Sequence, residues 1–141
     1  MLDVIELKKG YFPKIKSRLL TKKEDINSVT YDSATNKIFL GLHVNPDEYN
    51  LDTDSGFHGA YLRTVELDKN NKVKVVKKNI VTQERALHSW AANDAAILGS
   101  EVLVPVGAIE GGVEVLPSGD INSDENFISG INDTRAVDTY S

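Results

Sequence analysis

Histidine and carboxylate side chains are the residues of this sequence that could perform catalysis, because the chain contains no cysteine. The three histidines, His43, His58 and His88, are scattered, and each could act as a general base only beside a suitable partner. The sequence lacks the motifs of phosphate-binding loops, dinucleotide-binding turns, nucleophile elbows and zinc-binding helices. We therefore expect no enzymatic activity, catalytic residue, cofactor or metal site. The enzyme alternative requires His58, Asp54 and Glu84 to converge on folding.

Two acidic segments, residues 50–54 and 120–124, place oxygen-bearing side chains at alternating positions, as calcium-binding loops do. An EF-hand loop also requires glycine at its sixth position and glutamate at its twelfth, and neither segment has these residues there. We interpret both segments as solvated turns. A calcium site of looser geometry stays open as the alternative.

The charges of this sequence are separated between its two ends. Residues 8–23 carry seven cations and no acid, whereas residues 101–141 carry eight acids and one cation, Arg135, in a chain of net charge −5. Ends of opposite charge attract each other or different surfaces. The residues that we predict to bind a partner are Lys8, Lys9, Tyr11, Phe12, Lys14, Lys16, Arg18, Lys22 and Lys23 near the start and Phe127, Ile128 and Ile131 near the end.

The chemistry of the basic segment bears on the kind of partner. Tyr11 and Phe12 lie among lysines and could stack on bases, but the acidic remainder of the chain opposes a nucleic-acid binder. Gly10 and Pro13 interrupt the apolar residues here, which argues against an amphipathic helix on a membrane. No apolar run approaches the ~20 residues that span a bilayer, and the first residues lack the order of a secretory signal. We expect a protein partner with an acidic face, without membrane or nucleic-acid contact.

Turn-forming residues divide the sequence into short segments rich in β-branched and aromatic residues, which predict β-strands. Turns at residues 32–36 and 68–71 predict two hairpins. The predicted strands are residues 4–7, 28–31, 38–44, 60–67, 72–77, 102–106 and 113–116, with a helix at residues 82–96 and an exposed acidic loop at residues 45–56.

At 141 residues the chain fits a single core. The predicted organisation is a basic N-terminal arm at residues 1–27, a β-rich body at residues 28–119 and an acidic irregular tail at residues 120–141. Many short strands with one helix predict a mainly β fold, an antiparallel sandwich or small barrel with about one short helix and extended N- and C-terminal segments. Removal of the arm is expected to leave the body folded.

Residues 37–49 combine a strand with an acidic, tyrosine-bearing loop, and residues 56–63 lead to an aromatic-arginine strand. This order resembles small head-accessory proteins of tailed bacteriophages, and residues 99–108 are similar to their closing β-segment. The resemblance covers residues 38–108 at the level of pattern. It implies a virion protein that binds the outside of an icosahedral shell, often as a symmetric cluster, and reinforces the shell against the pressure of packaged DNA.

On this basis we expect a capsid decoration protein whose partners are the major capsid protein and copies of itself. Its expected location is the capsid surface of the virion, after synthesis in the host cytoplasm. The alternative is a small β-rich ligand- or carbohydrate-binding module of a fibre or tail component, with Trp90, Tyr61, Tyr49 and His58 as its contact surface.

Overall fold

A computed structural model of the chain describes residues 1–20, 24–44, 60–80, 94–106, 111–121, 123, 126–130, 134 and 136–140. These residues form ten β-strands, and no helix occurs among them. The strands are β1 (Leu2–Glu6), β2 (Lys14–Leu19), β3 (Glu24–Asp32), β4 (Lys37–Val44), β5 (Ala60–Leu67), β6 (Val73–Ile80), β7 (Ala96–Leu98), β8 (Glu101–Val106), β9 (Gly112–Pro117) and β10 (Asn126–Ser129).

The strands pair in three antiparallel sheets. An N-terminal hairpin joins β1 to β2, a central sheet has the order β3-β4-β5-β6, and an outer sheet has the order β10-β9-β8-β7. The mainly β, antiparallel fold predicted from the sequence is confirmed. Of the two architectures considered, the barrel is not formed by the described strands, whose sheets stay open and pack face to face.

The central sheet is buried on both of its faces, because each face packs against another sheet. Successive residues of a strand point to opposite sides, so neighbours in sequence belong to different apolar clusters. Phe39 of β4 faces the outer sheet and packs in one cluster with Val102, while its neighbour Leu40 faces the N-terminal hairpin and packs in a second cluster with Leu2. The molecule therefore has three layers in the order N-terminal hairpin, central sheet and outer sheet. The buried members of the first cluster are Phe39, Leu62, Ala95, Val102, Val104, Leu116 and Ile121.

Local hydrogen bonds form the two predicted hairpin turns. The Asp32 carboxylate accepts a hydrogen bond from the Ala34 N–H at 3.0 Å, and Asn36 adopts a left-handed φ of 57° before β4 begins. In the second turn the Asp68 carboxylate accepts two backbone N–H groups at 2.7 and 2.9 Å, and Asn71 has a φ of 58°. Asparagine tolerates this conformation better than most residues, so both predicted hairpins, β3-β4 and β5-β6, are confirmed.

Both ends of the chain are more ordered than the sequence predicts. Residues 2–19, expected to form an arm, are locally extended but fold back as the N-terminal hairpin, because Leu2 and Leu19 reach the central sheet. In the tail, where irregular chain is predicted, β10 adds a strand to the outer sheet and Ile121 is buried.

Several predicted elements fall wholly or partly outside the described residues. The acidic loop at residues 45–56 lies wholly beyond them, and so does most of the predicted helix at residues 82–96. The last residue of that prediction, Ala96, begins strand β7. The predicted helix therefore extends too far at its C-terminal end.

Candidate docking surface

The N-terminal hairpin has one face on the protein core and one face toward solvent. Leu2 and Leu19 are Cα partners in the β1-β2 register and pack on the central sheet. The hydroxyl of Ser17 accepts a hydrogen bond from the Val73 N–H at 2.9 Å, which ties β2 to the start of β6. These contacts hold the N-terminal hairpin on the body of the molecule.

The solvent face of the N-terminal hairpin exposes two aliphatic side chains. Ile5 and Ile15 lie opposite each other in the register, and they are 50% and 49% exposed. The register shifts between Val4 and Ile5, which is a β-bulge, and bulges redirect side chains along a strand. Neither residue is among those that the sequence predicts to bind a partner. Their proximity cannot be seen in the sequence, because only the pairing register of β1 and β2 places them side by side.

The loop between β1 and β2, residues 7–13, is called the hairpin tip below. A turn in it is closed by the Tyr11 N–H, which donates to the Lys8 carbonyl at 3.0 Å, and Gly10 supplies the required left-handed φ of 81°. Beyond this turn the side chains of Tyr11 and Phe12 are 78% and 97% exposed, and Leu7 is exposed as well. A large apolar surface in solvent marks a site of interaction.

Acids neutralise only part of the positive charge of the N-terminal hairpin. Arg18 donates two parallel hydrogen bonds to Asp3, at 2.7 and 2.8 Å, and Glu6 forms ion pairs with two lysines at 3.5 and 3.6 Å. Among the ion pairs formed by the described residues, Lys9 and Lys14 take part in none. With five cations against two acids in residues 1–20, the hairpin presents a positive surface around its exposed apolar residues.

The Asp3–Arg18 pair gives a testable pH dependence. The hydrogen bonds from Arg18 lower the pKa of the Asp3 carboxyl below its ordinary value of 3.8. A carboxyl with a lowered pKa stabilises the fold above 3.8, and this contribution is lost as the pH falls through the lowered value. We expect Arg18→Ala to raise the Asp3 pKa in a carboxyl NMR titration.

Asp68 provides the internal control for this titration. The backbone N–H groups of Lys72 and Asn70 lower the pKa of the Asp68 carboxyl. Because the groups that lower this pKa all belong to the β5-β6 turn and do not include Arg18, Arg18→Ala should leave the titration of Asp68 unchanged. An Asp3 pKa that stays low in the variant would contradict the pairing.

The structure brings together seven of the predicted partner-binding residues and places two others in a different layer. The N-terminal hairpin carries Lys8, Lys9, Tyr11, Phe12, Lys14, Lys16 and Arg18. Lys22, Lys23 and Ile131 lie outside the described residues. Phe127 and Ile128 lie on β10, in the layer on the other side of the central sheet. The two predicted groups are therefore separate surfaces.

The two partner residues on β10 have different environments. Gly112 on β9 leaves room for the Phe127 ring, whose Cζ atom would lie 2.8 Å from a Cβ placed at that glycine. Phe127 is accordingly half-buried, whereas Ile128 is 56% exposed. Only Ile128 offers most of its side chain to a partner.

A shallow groove of about 730 Å³ lies where β3, β7 and the tail meet. Its polar groups bind the chain itself: the Thr30 hydroxyl donates to the Ala95 carbonyl at 2.8 Å, and the Thr139 hydroxyl donates to the Ile97 carbonyl at 2.9 Å. Asp94 accepts a hydrogen bond from the Val137 N–H at 3.0 Å. These bonds hold the tail against the edge of the outer sheet, and we assign the groove that structural role.

The residues of the alternative functions cannot be placed. Trp90, Tyr49 and His58 of the ligand-binding alternative lie outside the described residues, as does the side chain of Tyr61. Asp54 and Glu84 of the enzyme alternative also lie there. Within the described ranges, no three histidine, aspartate or glutamate side chains form a cluster that could hold a metal.

No helix in the described part of the chain is long and apolar enough to cross a membrane. Comparisons with models of protein families, with curated proteins and with solved structures find no match to this chain.

Proposed function

We propose that this protein is a virion structural protein of a tailed phage that binds and stabilises the capsid shell, and that the hairpin tip docks on the shell. The observation that supports this proposal most is the exposure of Tyr11 and Phe12, at 78% and 97%, on a tip held in place by a packed hairpin. The resemblance in residues 38–108 supplies the class of partner.

The chemistry of the hairpin tip fits a protein surface with an apolar pocket and acidic surroundings. Burying a side chain such as that of Phe12 contributes about 1.5–3 kcal/mol. Lys9 and Lys14 are exposed and have no acid partner among the ion pairs of the described residues, so they can pair with carboxylates of the shell. Aromatic anchors surrounded by charge are typical of the residues that dominate binding energy.

A modest affinity for each copy is sufficient for this role. A capsid shell presents the same site many times, and attachment at more than one point multiplies the apparent affinity. A decoration protein also needs no catalytic group, and the sequence carries none of the catalytic motifs considered above. The N-terminal hairpin adds a preformed binding loop, which reduces the ordering that docking requires.

The test is co-sedimentation with empty shells assembled from the major capsid protein encoded by the same phage genome. We expect the double variant Tyr11→Ser, Phe12→Ser to lower the affinity by about 100-fold, because each anchor contributes about 1.4 kcal/mol or more and each 1.4 kcal/mol is a factor of ten. Lys9→Glu should lower it by about tenfold at low salt and less at high salt.

The matched control for the charge reversal is Lys69→Glu, because Lys69 is also exposed but lies in the β5-β6 turn, away from the N-terminal hairpin. Binding of this variant should equal that of the wild type. Full occupancy of shells by the Tyr11, Phe12 double variant would reject the proposal. If the protein bound duplex DNA as tightly as it binds shells, and if this binding also depended on Tyr11 and Phe12, the partner of the tip would be nucleic acid and the proposal would be rejected.

A further inference from the structure

Strand β10 forms one edge of the outer sheet. Among the described strands it pairs with β9 alone, through the residues from Asn126 to Ser129. In an antiparallel ladder alternate residues point their N–H and C=O groups away from the neighbouring strand. Strand β10 therefore directs backbone donors and acceptors to the outside of the sheet, and such an edge is a template for a further strand.

The other sheet edges in the described part of the chain carry features that hinder pairing with a second chain. At the opposite edge of the outer sheet the tail lies against β7, where the Thr139 hydroxyl donates to the Ile97 carbonyl at 2.9 Å. Strand β3 exposes Asp25 and has a register shift, and β6 contains three lysines. The N-terminal hairpin has a bulge and charged side chains on both strands. Covering segments, bulges and charges are the usual protection of a sheet edge.

The four residues of β10 carry none of these features. The strand reads Asn-Phe-Ile-Ser, without charge or proline, and its pairing with β9 shows no register shift. Ile128 is 56% exposed, and Asn126 and Ser129 are exposed as well. An uncharged strand with a β-branched and an aromatic residue is typical of segments that pair with another strand. Among the described edges, β10 is the one suited to strand addition.

We infer that β10 of one copy of this protein pairs antiparallel with β10 of a second copy, about a two-fold axis normal to the outer sheet. The two strands meet without opposed like charges, because neither carries a charge. Antiparallel pairing also places the starts of the two strands at opposite ends of the ladder. This separation keeps apart the acids that precede the strand in the sequence, Asp124 and Glu125. A second copy therefore matches β10 in both hydrogen bonding and charge.

The two-fold axis restricts the register of this pairing. Residues that lie opposite each other in a ladder share one face of the sheet. Phe127 is paired with the buried Glu114 and faces the core, so Asn126 and Ile128 lie on the outer face, turned away from the central sheet. With most of the strand paired, Ile128 lies opposite either Ile128 or Asn126 of the second copy. The two Ile128 side chains are direct neighbours in the first register and diagonal neighbours, about 7–8 Å apart, in the second.

The pairing joins two four-stranded outer sheets into one continuous sheet. It closes with two copies, because both use the same edge. An axis normal to the sheet preserves the order of the layers, so the N-terminal hairpins of both copies lie on the same side of the pair. Both hairpin tips can then face one shell, and attachment at two points multiplies the apparent affinity. This last consequence rests on the proposed function, whereas the pairing itself does not.

The first experiment is sedimentation velocity of the full chain without shells, at protein concentrations up to about 1 mM, which detects weak pairing. We expect a reversible equilibrium of monomer and dimer without larger species. Ile128→Lys should weaken dimerisation by about tenfold or more, because it places a charge on the paired edge next to its own counterpart.

Leu98→Lys is the matched control for this charge. Leu98 lies on the same face of the outer sheet and is 51% exposed, but it belongs to β7 at the opposite edge. The variant should dimerise as the wild type does. If Leu98→Lys weakened dimerisation as much as Ile128→Lys, the outer face instead of the β10 edge would bind the second copy, and the inference would be overturned.

Cysteine cross-linking tests the symmetry of the pairing, because the chain contains no cysteine of its own. In both registers Ile128→Cys should form a covalent dimer with a bis-maleimide that spans about 8 Å. Ser33→Cys, which is exposed in the turn between β3 and β4, should form little dimer under the same conditions. Equal cross-linking of the two variants would contradict the pairing.

The inference and the proposed function fail separately in these experiments. A wild-type protein that stays monomeric up to about 1 mM overturns the inference even if it binds shells. If Ile128→Lys unfolds, Ser129→Lys replaces it, because Ser129 is exposed on the same strand. The Tyr11→Ser, Phe12→Ser double variant should dimerise normally while losing the shell. A folded Ile128→Lys variant should still bind shells, with a lower apparent affinity.

Discussion

Replacement of Phe39 by alanine should lower the free energy of unfolding by about 3–5 kcal/mol. The ring is 0% exposed and lies in the cluster that joins the central sheet to the outer sheet. Its neighbours include Leu62 of the same sheet and Val102 and Leu116 of the facing sheet. Truncation removes the apolar contacts of the ring and leaves a cavity between two rigid layers, which strand pairing prevents from closing.

Urea unfolding, followed by tryptophan fluorescence and by circular dichroism, measures this change. Phe12→Ala is the matched control, since it removes the same atoms from a ring that is 97% exposed, and it should change stability by less than about 0.5 kcal/mol. Equal losses in the two variants would mean that Phe39 does not join the sheets. The control also separates stability from docking, because Phe12→Ala should still weaken the binding of shells.

The hairpins of the central sheet are predictable from the sequence because their signals are local. Asp32 and Asn36 at one turn, and Asp68 and Asn71 at the other, have side chains that bind nearby backbone groups or tolerate a left-handed φ. The residues that flank each turn are β-branched or alternate between apolar and polar, which predicts strands on both sides of the turn. A mainly β, antiparallel fold follows from such agreement.

The layering of the sheets is not predictable in the same way, because it depends on contacts between distant residues. Phe39 and Leu40 are both apolar, and nothing in the sequence states that one faces the outer sheet and the other the N-terminal hairpin. Strand β10 is a second case. The sequence predicts irregular chain after residue 119, but Gly112 allows the Ile128 carbonyl and the Phe127 ring to approach β9, so that β10 can pair with it.

Many residues of the candidate surface could be predicted from the sequence, but their arrangement in space could not. The run of cations around Tyr11 and Phe12 is visible in the sequence, and the structure places those residues on one hairpin. The exposed pair Ile5 and Ile15 requires the register of β1 and β2, which is set by a bulge. The placement of the described residues of the two ends in opposite outer layers also requires the fold, since the charges alone permit the ends to contact each other.

The folding role of the N-terminal hairpin changes how the docking hypothesis must be tested. The sequence suggests that residues 1–27 can be removed from a folded body. In the structure Leu2 is buried with Leu40, Leu42 and Val65, and β3 already begins at Glu24. Removal of the arm would therefore eliminate part of the core and the first residues of a strand, and a loss of docking would have no unique cause.

A chain that lacks residues 1–20 should consequently be unstable. Each large apolar side chain returned to water costs about 1.5–3 kcal/mol, and loss of the N-terminal hairpin uncovers Leu40, Leu42 and Val65 together. The total approaches the net stability of a typical domain, which is about 5–15 kcal/mol. We expect no cooperative thermal unfolding transition in this variant, and a transition as sharp as that of the wild type would show that the hairpin is only an arm.

Replacement of the hairpin tip by Asn-Gly should, in contrast, keep the fold and abolish docking on shells. Glu6 and Lys14 are Cα partners, so a two-residue type I′ turn can join them directly, and the contacts of Leu2 and Leu19 remain. The thermal midpoint should stay near that of the wild type, because Tyr11 and Phe12 contribute exposed surface and no core. Shell binding that survives in this folded variant would place the docking residues outside the tip, whereas loss of both binding and folding would show that the tip supports the hairpin itself.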